Sequence, residues 1–113
     1  MKTAKRARRV HVSSGNIFAD LGFANSEERL YKAELAHQIC QAIATRGLTQ
    51  EKAAELLGVD QPKISALRRG KLAGFSTDRL FQFLNDLGKV VEISIRPARK
   101  ANVRGDTHVL AVV

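Results

Sequence analysis

The sequence holds a single cysteine, Cys40, so no internal disulfide can form, as suits a reducing compartment. No run is apolar enough to cross a bilayer. The basic N-terminus is not followed by an apolar stretch of signal-peptide length. The expectation is a cytoplasmic chain with no membrane partner. Aromatic residues are only 5%, too few for the stacking platform on which single-stranded RNA recognition depends. His11, His37 and His108 are scattered and share no ligand spacing, so no metal site is expected. A glycine-rich phosphate loop and a convincing nucleophile–base pairing are both missing. Neither a cofactor nor an enzymatic activity is therefore expected. Negative charge is also scarce: 11 Asp and Glu against 19 Lys and Arg leave a net charge of +8. Such a surplus favours polyanionic partners, nucleic acid first, acidic protein or anionic membrane second.

What is present fits one compact domain. The chain has 113 residues, 44% hydrophobic and 27% charged, enough for a modest core of a few packed helices. Residues 1–12 carry Lys2, Lys5, Arg6, Arg8 and Arg9 with almost nothing to bury, and read as a mobile basic arm. Asn16 is placed to cap a short apolar turn, Ile17 to Leu21, that Gly22 ends. Asn25 starts the next helix. Leu35, Ile39 and Ile43 then recur every four residues with Ala36 and Cys40 beside them, one apolar stripe on a helix ending near Gly47.

Residues 48–70 carry the densest signal. Thr49 caps a helix, and Leu48 and Ala53 stand where a hydrophobic staple needs them. Ala53, Ala54 and Leu57 face inward. Gly58 supplies the left-handed turn. Asp60 then caps a second short helix with Pro62 in its first turn, where the missing N–H is harmless. Ile64 and Leu67 form its buried side and Gly70 ends it. Ser76 caps a further helix with Leu80, Phe83, Leu84 and Leu87 apolar; Phe75 and Leu80 form a second staple, and Gly88 closes it. Beyond, Val91, Ile93 and Ile95 alternate with polar residues up to Pro97, the period of a half-buried strand. His108 to Val113 is a second β-prone stretch able to pair back as a hairpin.

Two short helices, a glycine turn and cations after the second resemble the helix-turn-helix of the Xre/Cro repressor family, which presents its second helix to the major groove. The resemblance covers about residues 35–88. It implies a mainly α fold of four to five helices, here followed by a C-terminal β-strand or hairpin. It places Thr49 and Gln50 at the DNA-facing start of the first helix, where the family touches a phosphate. Gln61 stands where a glutamine reads adenine, and Lys63 and Ser65 point to the groove, Lys63 toward guanine. Arg68, Arg69 and Lys71 are placed for phosphates. Pro62 offers only an apolar contact, and Ala66 is apolar too, so direct readout is lean and DNA shape carries more of the specificity.

Residues 15–23 (Gly-Asn-Ile-Phe-Ala-Asp-Leu-Gly-Phe) and 87–97 (Leu-Gly-Lys-Val-Val-Glu-Ile-Ser-Ile-Arg-Pro) are similar to HigA-type antitoxins of type II toxin–antitoxin pairs. That implies autoregulation of an operon and neutralisation of an RNase toxin of the RelE/HigB type. The resulting organisation is an arm at 1–12, a helical domain at 13–88 with the motif at 48–70, and a β element at 89–113. Val91, Ile93 and Ile95 are its expected dimer seam, ahead of a docking edge for a toxin or a cover for the core, and a dimer would set two recognition helices on a palindromic operator in double-stranded DNA. Two other readings stay open: a stand-alone or phage-type regulator without a toxin, and a protein-interaction module whose DNA contact is secondary. Whether the arm follows the minor groove is open as well.

Overall fold

The computed structural model describes residues 7–9, 24–100 and 103–112. The chain divides into two compact units, one of residues 32–92 and one formed by the described residues up to 31 and from 93 onward.

The 32–92 unit is helical. Helix α1 runs Ala24–Thr45, its greater part within this unit. Leu35, Ala36, Ile39, Ala42 and Ile43 are its buried residues, the stripe that a period of about 3.6 residues aligns. Helix α2, Gln50–Leu57, packs on α3, Gln61–Arg68, and on α4, Thr77–Asp86. The core is apolar throughout, with Ile39, Ile64, Leu80 and Phe83 fully buried. Each such side chain contributes about 1.5–3 kcal/mol by leaving water. The start and end of each short helix are set locally. Thr49 Oγ accepts the Lys52 N–H at 3.1 Å, and Ser76 Oγ accepts the Arg79 N–H at 3.1 Å. Of the two expected staples, Phe75 and Leu80 are both buried at the start of α4, while at the start of α2 Ala53 is buried and Leu48 half-buried. The Arg46 guanidinium donates to the Leu87 carbonyl at 3.1 Å, joining the segment after α1 to the end of α4.

Gly58 is the pivot between α2 and α3. Its φ of 72° and ψ of 33° lie in the left-handed region. The Gly58 N–H donates to the Glu55 carbonyl at 3.3 Å and the Val59 N–H to the Ala54 carbonyl at 3.0 Å. This pair of bonds is a Schellman closure, which satisfies the last carbonyls of α2 while reversing the chain.

The second unit holds a two-stranded antiparallel sheet. Strand β1, Ala7–Arg9, pairs with β2, Leu110–Val112, in the register Ala7 with Val112, Arg8 with Ala111 and Arg9 with Leu110. Glu27, in the first turn of α1, accepts from Arg104 Nη2 at 3.2 Å and from the Thr107 backbone N–H. One carboxylate thereby braces two points of the C-terminal segment.

Five expectations need correction. Residues 91–95 form no strand: Ile93 and Ile95 are 72% and 92% exposed. Alternation marks a segment fit for a sheet but supplies no partner, and a strand's hydrogen bonds all come from a neighbour. The C-terminal strand pairs with the basic arm, not with residues 91–97 as a hairpin. Residues 7–9 of that arm are accordingly a strand instead of free chain, whereas 1–6, 10–12 and the expected turn at 17–21 lie outside the described residues. Asp60 occupies the cap position of α3 in extended geometry, but its side chain makes no capping bond. Helix α1 also begins one residue before Asn25.

Candidate nucleic-acid interface

The candidate site is the outward side of α3 with the elements flanking it, all within the 32–92 unit. Helix α3 is fixed by Ile64 and Leu67, buried at 0% and 2% exposure. At about 3.6 residues per turn, the residues opposite that stripe are Pro62, Ser65, Ala66 and Arg69, with Gln61 a quarter turn from the stripe on the flank away from Lys63. Gln61, Pro62 and Arg69 are exposed; Ser65 and Ala66 are half-buried. Gln61 thus heads an outward face at the first position of α3, with one amide able to serve an adenine edge.

The cations fall in two groups. Arg68, Arg69 and Lys71 are exposed at and after the end of α3, where the helix dipole also favours positive charge. The Lys71 N–H closes onto the Ala66 carbonyl at 2.9 Å, so the chain turns back as α3 ends. At the other end of the motif, Thr49 is exposed but its Oγ is committed to the cap, and Gln50, half-buried, opens α2.

Lys63 is exposed and stands beside an aromatic ring. It flanks the buried stripe of α3, and its Nζ stands 5.3 Å from the centroid of the Phe75 ring. The ammonium therefore lies over the segment joining α3 to α4, not along the outward face with Gln61. Arg79 repeats the arrangement. Its guanidinium carbon is 5.0 Å from the centroid of Phe83, and its Nη1 donates to Gln82 Oε1 at 3.3 Å. Arg79 had no place in the sequence reading of the site. Its four-residue spacing to Phe83 on one helix was the available signal; the Lys63–Phe75 contact, twelve positions apart, left none.

Cys40 on α1 is half-buried. Burial pushes its thiol pKa above the usual value, and the positive charge of Arg68 pulls it partly back. Its place beside the apolar stripe is that of a packing residue. Among the described residues no helix is long and apolar enough to cross a membrane.

Comparison with known proteins agrees with this geometry. A family model described as a helix-turn-helix domain matches residues 17–96. A solved structure named for the XRE family of transcriptional regulators is 42% identical, superposes with a TM-score of 0.73, and is aligned over 78% of this chain and 99% of its own. No curated protein matches.

Proposed function

The chain belongs to the Xre-type helix-turn-helix family of DNA-binding transcriptional regulators, and from that premise we propose that it is an operator-binding repressor that acts as a homodimer. The observation carrying this reading is the α2–Gly58–α3 unit. It is closed by backbone bonds and cored by Ile64 and Leu67, and it leaves Gln61, Pro62, Ser65, Ala66 and Arg69 facing outward. Gln61 is the base reader, Ser65 a secondary contact and Pro62 an apolar one. Gln50, Arg68, Arg69 and Lys71 hold phosphates. Most protein–DNA hydrogen bonds go to the backbone and fix register, while sequence is read by few side chains; a lean reader fits that division.

The dimer reading is supported by Ile93 and Ile95, exposed at 72% and 92%, whereas Val91, the third residue of the expected seam, is half-buried. Two large apolar residues left to water in one short segment suit a covered surface. A dimer would space two recognition helices by about one turn of DNA, roughly 34 Å. Introducing a charge with Ile93→Glu is expected to halve the mass in light scattering; retention of the parent mass as a dimer would remove this seam from the model.

Within this family we favour an antitoxin that represses its own operon and neutralises an RNase toxin. Support comes from the similarity of residues 15–23 and 87–97 to HigA-type chains. Co-expression with the product of the adjacent gene tests it: a stable complex that restores growth supports the antitoxin, whereas DNA binding without such a partner favours a stand-alone regulator. The DNA reading itself is tested by selecting duplexes from a randomised pool and repeating the titration with Gln61→Ala. The expected loss is about 1–3 kcal/mol, with relaxed choice at the base it contacts.

A further inference from the structure

An open cleft of about 300 Å³ lies at the junction of α3 and α4, lined by Val59, Lys63, Gly74, Phe75, Ser76 and Arg79. Its two cations are not loose surface charges. Phe75 and Phe83 meet edge to face, with centroids 5.9 Å apart and planes at 76°. Both rings are anchored in the core at 5% and 0% exposure. Each turns a face to one cation, Phe75 to Lys63 and Phe83 to Arg79. The order is therefore cation, ring, ring, cation, built on a buried pair that cannot shift without disturbing the core. A ring covers only one side of the cation it attracts; the remaining N–H donors stay available to an oxygen ligand.

No carboxylate lines the cleft, and no ion pair involving Lys63 or Arg79 occurs among the described residues. Two prepositioned cations with spare donors suit a phosphate oxygen. A free Lys63 would have the reach to probe a base edge, but stacking on Phe75 draws its ammonium toward Gly74, where it stands 3.9 Å from the place a Cβ on that glycine would take.

We propose that Lys63 and Arg79 together form a phosphate cleft that grips the DNA backbone beside the recognition helix, and that Phe75 withholds Lys63 from the bases. The proposal rests on the DNA-binding reading and revises it. Base readout falls to the outward face headed by Gln61, and Arg79 joins the contact set.

The test uses the full chain with Lys63→Gln and Arg79→Gln, both at exposed positions. Each is titrated onto the duplex that the parent selects from a randomised pool and onto a scrambled duplex of equal composition, across a salt series. Because the dimer carries each residue twice, each variant is expected to lower the log–log salt slope by about 1.8 and to lose about 60-fold at 0.1 M salt, the factor such a slope accumulates from 1 M. The loss should be equal on both duplexes. If Lys63→Gln reduces discrimination between them, Lys63 reads bases and the proposal is overturned. Unchanged slopes in both variants overturn it too. Inorganic phosphate added at constant ionic strength separates a backbone phosphate from a free one: saturable uptake by the parent, with DNA binding of the variants unaltered, reassigns the cleft and overturns the proposal. A parent that binds neither duplex in a salt-dependent way defeats the underlying DNA reading, a result separable from the others because it appears before any substitution.

Discussion

The Arg46 guanidinium donates through Nη1 to the Leu87 carbonyl at 3.1 Å, across 41 positions of sequence. That carbonyl sits at the end of α4, where intrahelical partners run out. Arg46 therefore caps a helix that is not its own and ties it to the segment following α1. Arg46→Ala removes one charge-assisted bond at a partly solvated site. The expected cost is about 1 kcal/mol, seen in calorimetry as a fall in Tm of about 4–8 °C. Arg46→Lys should recover part of it. A Tm equal to the parent's in Arg46→Ala would mean water replaces the bond without loss.

Gly58 offers a cleaner substitution, because nothing lies within 4 Å of where a Cβ would stand. Packing is then no obstacle, and only the backbone angle of 72° matters. A left-handed conformation costs an L-residue about 1–2 kcal/mol. Gly58→Ala should lower the urea midpoint accordingly, and Gly58→Asn by less, since asparagine tolerates this region better. Equal losses for the two would point to a cause other than φ.

Cys40 yields a pH dependence whose sign is fixed by burial. Its thiol is pushed above 9.0 chiefly by desolvation, with Arg68 opposing. A pKa raised in the folded state means that the unfolded chain ionises first. The associated stability is fully present below the unfolded value and is lost as pH climbs through the folded one. Urea midpoints measured from neutral to alkaline pH should therefore fall more steeply in the parent than in Cys40→Ala. The same burial should make alkylation of the native thiol slower than that of a free cysteine at equal pH, because the thiolate is the nucleophile. A native rate matching the free thiol would contradict both expectations.

The parts of this fold that were legible in advance are those with a local cause. Thr49 and Ser76 cap the helices they precede because a hydroxyl at that position reaches the third residue's N–H. Gly58 closes α2 because a left-handed residue is cheap only for glycine. Leu35, Ile39, Ile64, Leu67, Leu80 and Phe83 are buried as their spacing implied. What escaped has a non-local cause. Residues 91–95 show the alternation of a strand, yet among the described residues no strand pairs with them. Leu110–Val112 found one in Ala7–Arg9, a hundred positions away, where composition suggested only a charged arm. Asp60 has the right residue type and backbone angles for a cap and still makes no side-chain bond. The family resemblance implied a groove contact for Lys63 and gave no sign of its ring partner. That aromatic neighbour, Phe75, comes from the far side of a turn, so only the packed structure reveals the contact.

The number of cations that engage DNA decides between a minimal and an extended interface. With Arg68, Arg69 and Lys71 alone, a dimer presents about six phosphate contacts and a log–log salt slope near −5, at about −0.9 per contact. Adding Lys63 and Arg79 brings about ten contacts and a slope near −9. The two values differ enough to be separated by fluorescence anisotropy over a salt series of modest range. A slope near −5 that is unmoved by Lys63→Gln would confine the interface to the end of α3. A slope near zero would refute electrostatic engagement altogether, despite a net charge of +8. The steeper value is the expectation, because Lys63 and Arg79 are already held in place by Phe75 and Phe83. Ordering them on the backbone then costs less side-chain entropy than recruiting two free chains.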